Sequence, residues 1–431
     1  MIYKEGDEAL FRLFQHTSVV GLKRFIIGLL QQRKSPLLSE FIDIFSHDPV
    51  LKVQALRGVG RHDEVACLSD GIQLSDVPFI IDSRRRAGAP VIPLIAPLNA
   101  IYHQQGRQHW TGKLLLDACE YCGVSPPKEV SWDRALPEGQ SRGEPVIFGI
   151  TMIKRLTEST HFFFDHLLSY CDHVIAAIPH DQFEAARDYS MKEKVCFIEQ
   201  PLKYNDSEIY KSLFREGRER GATHYLRIDD DEMIEASLGP QQFRTICSKM
   251  SPGEALAVPW VQIFGDEADA EMNFHRLFEF TDIRNLEPLK DVVYCDDGEA
   301  MPSSMPFHCP WIPSEKLTRR YFSDYGLLHF EGTDITSLKN KFNRYLHWDY
   351  SINKNMGLVY ERYLPLLLRL VLIDAKDQSL LKPHSRGDYS HVPAKLSGTR
   401  YKETLDEIRN LFPIGDSEHR QLLADIFAPA N

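Results

Sequence analysis

The chain has 431 residues, 43% hydrophobic and 11% aromatic, which is enough for two or three domains with ample cores. A formal net charge of −11 argues against tight non-specific binding to nucleic acid or anionic lipid. Eight cysteines scattered without framework spacing, and a polar, acidic opening that does not read as a secretory leader, point to a reducing, cytoplasmic setting.

Residues 1–57 carry helical periodicity, from Phe11, Leu13 and Phe14 through Phe25, Ile26 and Ile27 to Phe41, Ile42 and Phe45. The apolar segment 19–30 is interrupted by Lys23 and Arg24 and is too short to span a bilayer, so no transmembrane segment is expected. Gly58-Val59-Gly60 lacks the third glycine of a dinucleotide fingerprint. The runs Val77-Pro78-Phe79-Ile80-Ile81 and Pro90-Val91-Ile92-Pro93-Leu94-Ile95 are broken by proline and are expected as edge strands or irregular packing. Arg84-Arg85-Arg86 suits a solvated loop or a local phosphate contact. Residues 114–122 read as a helix, which makes Cys119 and Cys122 structural, since no second Cys or His pair follows at finger-like distance. Prolines and glycines then gather between Gly123 and Pro145, marking a boundary.

Beyond it the pattern alternates. Strands are expected at 146–150, 173–178, 195–198 and 224–228, with helices at 162–170 and 206–220, the latter capped by Asp206, Ser207 and Glu208. That alternation implies right-handed crossovers and a mainly parallel sheet, in which ligands bind beyond the carboxyl ends of the strands. The fourth strand ends in Asp229-Asp230-Asp231-Glu232. Asp229 and Asp231 are two residues apart and point the same way on extended backbone. Adjacent aspartates repel, and water or a divalent cation relieves that most easily. Oxygen ligands of this kind suit Mg²⁺ or Mn²⁺. A solvated acidic turn also fits the bare triplet, whereas an EF-hand loop does not, because Met233 and Ile234 follow. Downstream, a helix at 240–250 and an extended run at 255–264 precede a loop-rich segment at 266–320. A short strand at 325–330, a basic helix-like stretch at 337–348 and helices at 363–373 and 401–412 complete the chain.

The order of these pieces resembles the family 2-like glycosyltransferases of the nucleotide-diphospho-sugar (GT-A) fold over about residues 146–350. The match consists of the first strand with Lys154, the aromatic helix, Asp172-His173-Val174-Ile175, and an Asp-any-Asp-Glu metal motif at Asp229-Asp230-Asp231-Glu232. It continues through Lys290-Asp291-Val292-Val293, His308, and the strand-final His329 before Lys339, Lys341 and Arg344. Lys154-Arg155-Leu156-Thr157-Glu158 and Pro179-His180-Asp181 depart from the family's pattern where the nucleotide base would lie.

The resemblance implies an α/β, GT-A-like, mainly parallel sheet flanked by helices. Residues 1–140 and 351–431 are expected to add largely helical N-terminal and C-terminal regions. The implied activity is metal-dependent, inverting transfer of a sugar from a nucleotide-diphospho-sugar, a UDP-sugar first among candidates, to a carbohydrate or glycoconjugate hydroxyl. Metal ligands would be Asp231, Asp229 and His329. Donor contacts would come from Asp181, Lys154, Asp229, Asp230 and Lys290. Asp266, then Glu267, are the candidate general bases, with Asp296 and Asp297 behind them. Trp260, Trp311 and Trp348 suit either a sugar-stacking platform or the core. Two other readings stand beside this one: nucleotidyl transfer on a similar fold, and a catalytically silent sugar- or protein-binding module. No Gly-x-Ser-x-Gly, Walker-type loop or His-Glu-x-x-His is present, which removes serine hydrolases, P-loop NTPases and zincins.

Overall fold

The computed structural model describes residues 35–44, 49–68, 77–104, 109–127, 132–133, 136–153, 156, 158–187, 193–202, 205–266, 273–280, 289–302, 311–313, 316–329 and 381–383. Scattered positions between 11 and 30 are also described. Among those early positions Ile26, Ile27 and Leu30 are helical and buried.

Six bounded helices follow: α1 (Leu38–Ile44), α2 (Pro49–Gly58), α3 (His62–Cys67), α4 (Val77–Arg86), α5 (Ile92–Gln104) and α6 (His109–Cys122). The two proline-broken runs are therefore helices, against expectation. Pro78 and Pro93 are each the second residue of their helix, where a missing N–H leaves no intrahelical bond unmade. Pro97 lies inside α5 and costs about 3 kcal/mol there. Leu94, Leu98, Ile101 and Tyr102 nevertheless recur at helical spacing and pack into one cluster. At about 1.5–3 kcal/mol for each fully buried side chain, that stripe outweighs the proline. The arginine triplet forms the last turn of α4, where positive charge complements the helix dipole.

The strands are β1 (Trp132–Asp133), β2 (Ile147–Met152), β3 (His173–Ile178), β4 (Val195–Glu199), β5 (His224–Arg227) and β6 (Glu232–Ile234). They continue as β7 (Glu254–Asp266), β8 (Asn273–Phe280), β9 (Leu289–Cys295), β10 (Arg319–Phe322), β11 (Leu327–His329) and β12 (Leu381–Pro383). The helices between them are α7 (Glu158–Tyr170), α8 (His180–Arg187), α9 (Asp206–Glu219) and α10 (Pro240–Lys249). The main sheet runs β1-β10-β7-β9-β5-β2-β3-β4. Strands β5, β2, β3 and β4 are mutually parallel, and so are β1, β10 and β7; β9 lies antiparallel between the two sets. The fold is thus α/β, with a mixed, mostly parallel sheet flanked by helices. Helices α7 and α10 pack on one face of the β2–β5 half, and α9 packs on the other. Residues of α4, α5 and α6 share a core with Ala257, Leu289 and Phe322, so the N-terminal helices close over the β7–β9–β10 half.

Strands β9 and β10 fall where a loop-rich segment was expected. Lys290, Asp291 and Arg320 break the apolar pattern, and each is neutralised in place. Arg320 donates from Nε and from a terminal nitrogen to the two oxygens of Asp291 at 2.8 and 3.0 Å, with both residues buried. The cap of α9 is also one residue earlier than expected: Asn205, in extended conformation, accepts from the Glu208 N–H at 3.3 Å.

Helix α9 lies so close to β5 that a Cβ on Gly217 would come 2.5 Å from the Tyr225 ring. The ring cannot swing away, because its hydroxyl donates to the Phe214 carbonyl at 2.8 Å and it stacks on Phe214. Gly217→Ala would gain about 1 kcal/mol of helix propensity and lose about 1–3 kcal/mol to overpacking. The expected result is a lower melting temperature; an increase, as at an uncrowded helix glycine, would contradict this packing. Among the described residues, no helix is long and apolar enough to cross a membrane.

Candidate functional site

Strand β5 is apolar where it crosses the sheet, with Tyr225 and Leu226 fully buried, and Ile228 is buried just beyond its end. The chain then turns through Asp229, Asp230 and Asp231 into β6. Two bonds close this turn: Glu232 N–H donates to the Asp229 carbonyl at 3.0 Å, and Asp229 N–H donates to Glu232 Oε2 at 2.8 Å. The carboxylates therefore stand at the carboxyl end of a strand within a parallel set, where open α/β sheets bind their ligands.

The cluster carries its own counter-ions. A terminal nitrogen of Arg227 lies 2.8 and 3.0 Å from the two oxygens of Asp229. Lys290, reaching in from β9, donates to Asp229 Oδ2 at 2.8 Å and to both oxygens of buried Glu232. Burial pushes the Asp229 carboxyl up, but Arg227 and Lys290 outweigh that and hold it well below the usual carboxylate range. Burial likewise lowers Arg227, and Asp229, Tyr210, Glu232 and Asp206 together more than compensate, leaving the guanidinium above its ordinary value.

Strand β11 supplies the next layer. It pairs antiparallel with β6, His329 opposite Glu232, and parallel with β7, His329 opposite Gln262. His329 is buried, with Nε2 3.4 Å from Asp231 Oδ2. Trp260 of β7 stacks on His329 with ring centroids 4.5 Å apart and donates its indole N–H to Glu232 Oε1 at 2.8 Å. Two adjacent networks result: Asp229 and Glu232 with Arg227 and Lys290, and Asp231 with His329.

Among the described residues, no three His, Cys, Asp or Glu side chains form a metal cage. Asp231 and His329 offer one oxygen and one nitrogen donor side by side, a pair that phosphate and water could complete around a divalent ion, although the imidazole departs from the all-oxygen set that Mg²⁺ usually takes. Asp229 is neutralised by two cations and suits a hydroxyl or a water better than direct ligation.

Asp230 lies in the turn beside these groups and is partly exposed. Asp181 is exposed in the first turn of α8, directly after β3. Strand β3 is the second neighbour of β5, so the two carboxyl ends lie about 10 Å apart. Its neighbour His180 contacts Glu199 at the end of β4. Asp266 is the last residue of β7 and pairs with Asn273 in a hairpin with β8; six residues of strand, about 20 Å, separate it from Trp260. Asp296 lies at the opposite edge of the sheet, beside the amino end of β5, where Arg218 grips it at 2.7 and 2.8 Å. It and adjacent Asp297 are thereby removed from the acid cluster. Trp311 is a core residue, its indole donating to the Asp291 carbonyl at 2.9 Å. Lys154, Glu267, His308, Lys339, Lys341, Arg344 and Trp348 lie outside the described residues.

Sequence reasoning missed Arg227 and the part played by Trp260. Two-residue parity places Arg227 beside Asp229 at the strand end, so its involvement was open to that logic; the same parity does not extend to Asp231, because the chain turns at Asp230 and Asp231. Trp260 depends on β7–β11 pairing, which no local pattern reports.

Neither a protein-family model nor a curated protein sequence matches the chain. Among solved structures it is similar to a mannosyltransferase from Pyrobaculum calidifontis in complex with GDP-Man and Mn²⁺, at TM-score 0.33 and 10% identity, over 78% of this chain and 97% of that one. It is also similar to 4-diphosphocytidyl-2C-methyl-D-erythritol synthase from Anaerococcus prevotii, at TM-score 0.21 and 10% identity, over 35% of this chain and 70% of that one. At these scores neither likeness carries a functional argument.

Proposed function

We propose that the chain is a glycosyltransferase that moves a sugar from a nucleotide-diphospho-sugar, a UDP-sugar first among candidates, to a carbohydrate hydroxyl with inversion. The observation that carries this reading is the pairing of Asp231 with His329 beside a clamped Asp229, all at the carboxyl end of β5. Mn²⁺ or Mg²⁺, when bound, would supply Lewis-acid stabilisation of the departing diphosphate. Asp231 and His329 would hold the ion, and Asp229, oriented by Arg227 and Lys290, would accept from the nucleotide ribose or an ordered water. Asp230 flanks the diphosphate. Lys290, engaged by Asp229 and Glu232, would serve the donor indirectly, by offsetting the negative charge of the acid turn beside the diphosphate. Asp181 and Lys154 serve the nucleotide end of the donor; the roughly 10 Å from β5 to β3 is about the length of a nucleoside.

Asp266, with Glu267 after it, is the proposed base, because β7 runs parallel to β5 and carries Asp266 past the carboxyl edge at which the acid turn lies. Asp266→Asn should then lower kcat about 10²–10⁴-fold while leaving donor affinity nearly intact. Full turnover in Asp266→Asn would transfer the role to Glu267 or to another group.

The whole reading is tested by a thermal-shift panel of nucleotide sugars with and without Mn²⁺. A ligand present at 100 times its Kd adds about 2.7 kcal/mol to the folded state. A metal-dependent rise with one donor class is the expected result. If no nucleotide or nucleotide sugar shifts the transition in either condition, the reading fails.

A further inference from the structure

We propose that Trp260 is a positioning residue whose ring sets the plane of His329, and so the direction of its Nε2 toward Asp231, and that it is not a platform for sugar stacking. The inference rests on the metal-dependent reading above.

The terminal torsion of a histidine side chain is broad and nearly two-fold, so a strand position alone does not aim a particular ring nitrogen. Burial of His329 restricts the ring, but a flat partner is what selects its plane. Trp260 provides that partner, at 4.5 Å between centroids and 23° between planes. The distance lies at the close end of the range for offset-stacked rings, an arrangement that aromatic pairs favour beyond their burial. The indole is itself fixed by its bond to Glu232 Oε1, and Lys290 Nζ lies over its ring at 5.6 Å. Backbone pairing supplies the rest, since β11 joins β6 and β7 and so puts His329 next to both the acid turn and the tryptophan. A ring engaged by a histidine, a carboxylate and an ammonium is poorly placed to receive a sugar as well.

The two functions of the indole can be separated. Trp260→Phe keeps a ring for the stack and loses the N–H donor; Trp260→Gln keeps a donor for Glu232 and loses the ring. Loss of a group that orients a metal-bound histidine typically weakens metal binding about 10–100-fold. Mn²⁺ binding to the full chain, measured in the presence of UDP from the free Mn²⁺ resonance signal, should therefore weaken about 10–100-fold in Trp260→Gln. Trp260→Phe should change it by less than about 3-fold on the same argument. Because the effect passes through His329, Trp260→Gln should add nothing to His329→Ala. Equal Mn²⁺ affinity in Trp260→Gln and wild type would overturn the proposal. So would a larger loss in Trp260→Phe than in Trp260→Gln, or additivity with His329→Ala. A wild-type chain that binds no Mn²⁺ with UDP or, in the same assay, with GDP would remove the metal-dependent reading and this inference together, whereas wild-type binding with an indifferent Trp260→Gln removes this inference alone.

Discussion

Asp231→Asn is expected to abolish the Mn²⁺ dependence of nucleoside-diphosphate binding while leaving the fold in place. Asp231 is partly exposed and contacts His329 at 3.4 Å, so the amide costs little in packing. Its loss removes the carboxylate that stands beside His329, the oxygen donor of the proposed cation pair. A protein that binds through Asp231 should show nucleoside-diphosphate affinity that falls on EDTA treatment in wild type and is already low and EDTA-insensitive in the variant. Isothermal titration with UDP and GDP, with and without Mn²⁺, reads this directly. Identical wild-type affinity in EDTA and in Mn²⁺ would show that the carboxylates do not work through a cation.

Lys290→Met is expected to have the largest effect on stability. Lys290 is mostly buried between Asp229 and fully buried Glu232, and removing one partner of a buried pair leaves uncompensated charge at a cost of about 3–5 kcal/mol. Part of that loss should return in the double variant Lys290→Met/Glu232→Gln, because the second change neutralises the stranded carboxylate. A double-mutant cycle from urea midpoints gives the coupling between the two. Should Lys290→Met unfold at the wild-type urea concentration, the three-way contact is not a stabilising element.

Much of the α/β half is legible in the sequence. Strands β2, β3 and β5 are short apolar runs separated by helical segments, and burial on both faces leaves little else for such runs to form, while β4 at the edge is marked by its apolar run alone. The acid site is legible for the same reason, as charge begins where the apolar residues stop. Strand β9 is not, because Lys290 and Asp291 occupy consecutive positions in Leu289–Cys295 and local pattern cannot know that Glu232 and Arg320 will neutralise them. Helices α4 and α5 are hidden by prolines whose cost depends on their position within an element not yet located. His329 can be picked out as a strand-final histidine, but its meeting with Asp231 comes from β6–β11 pairing, and Trp260 enters only through the second partner of β11.

That pairing has a consequence for how the protein is made. Strand β6 follows the acid turn immediately, yet its partner β11 leaves the ribosome about a hundred residues later. At about 5–20 residues per second, the carboxylates emerge roughly 5–20 s before His329 can reach them. Lys290, which neutralises Glu232, arrives partway through that interval. A nascent chain stalled before Leu327 would therefore hold every acid of the site with an open strand edge at β6, a state prone to the wrong partners. The emergence of β11 from the ribosome, more than any local preference, then sets when Asp231 and His329 can meet.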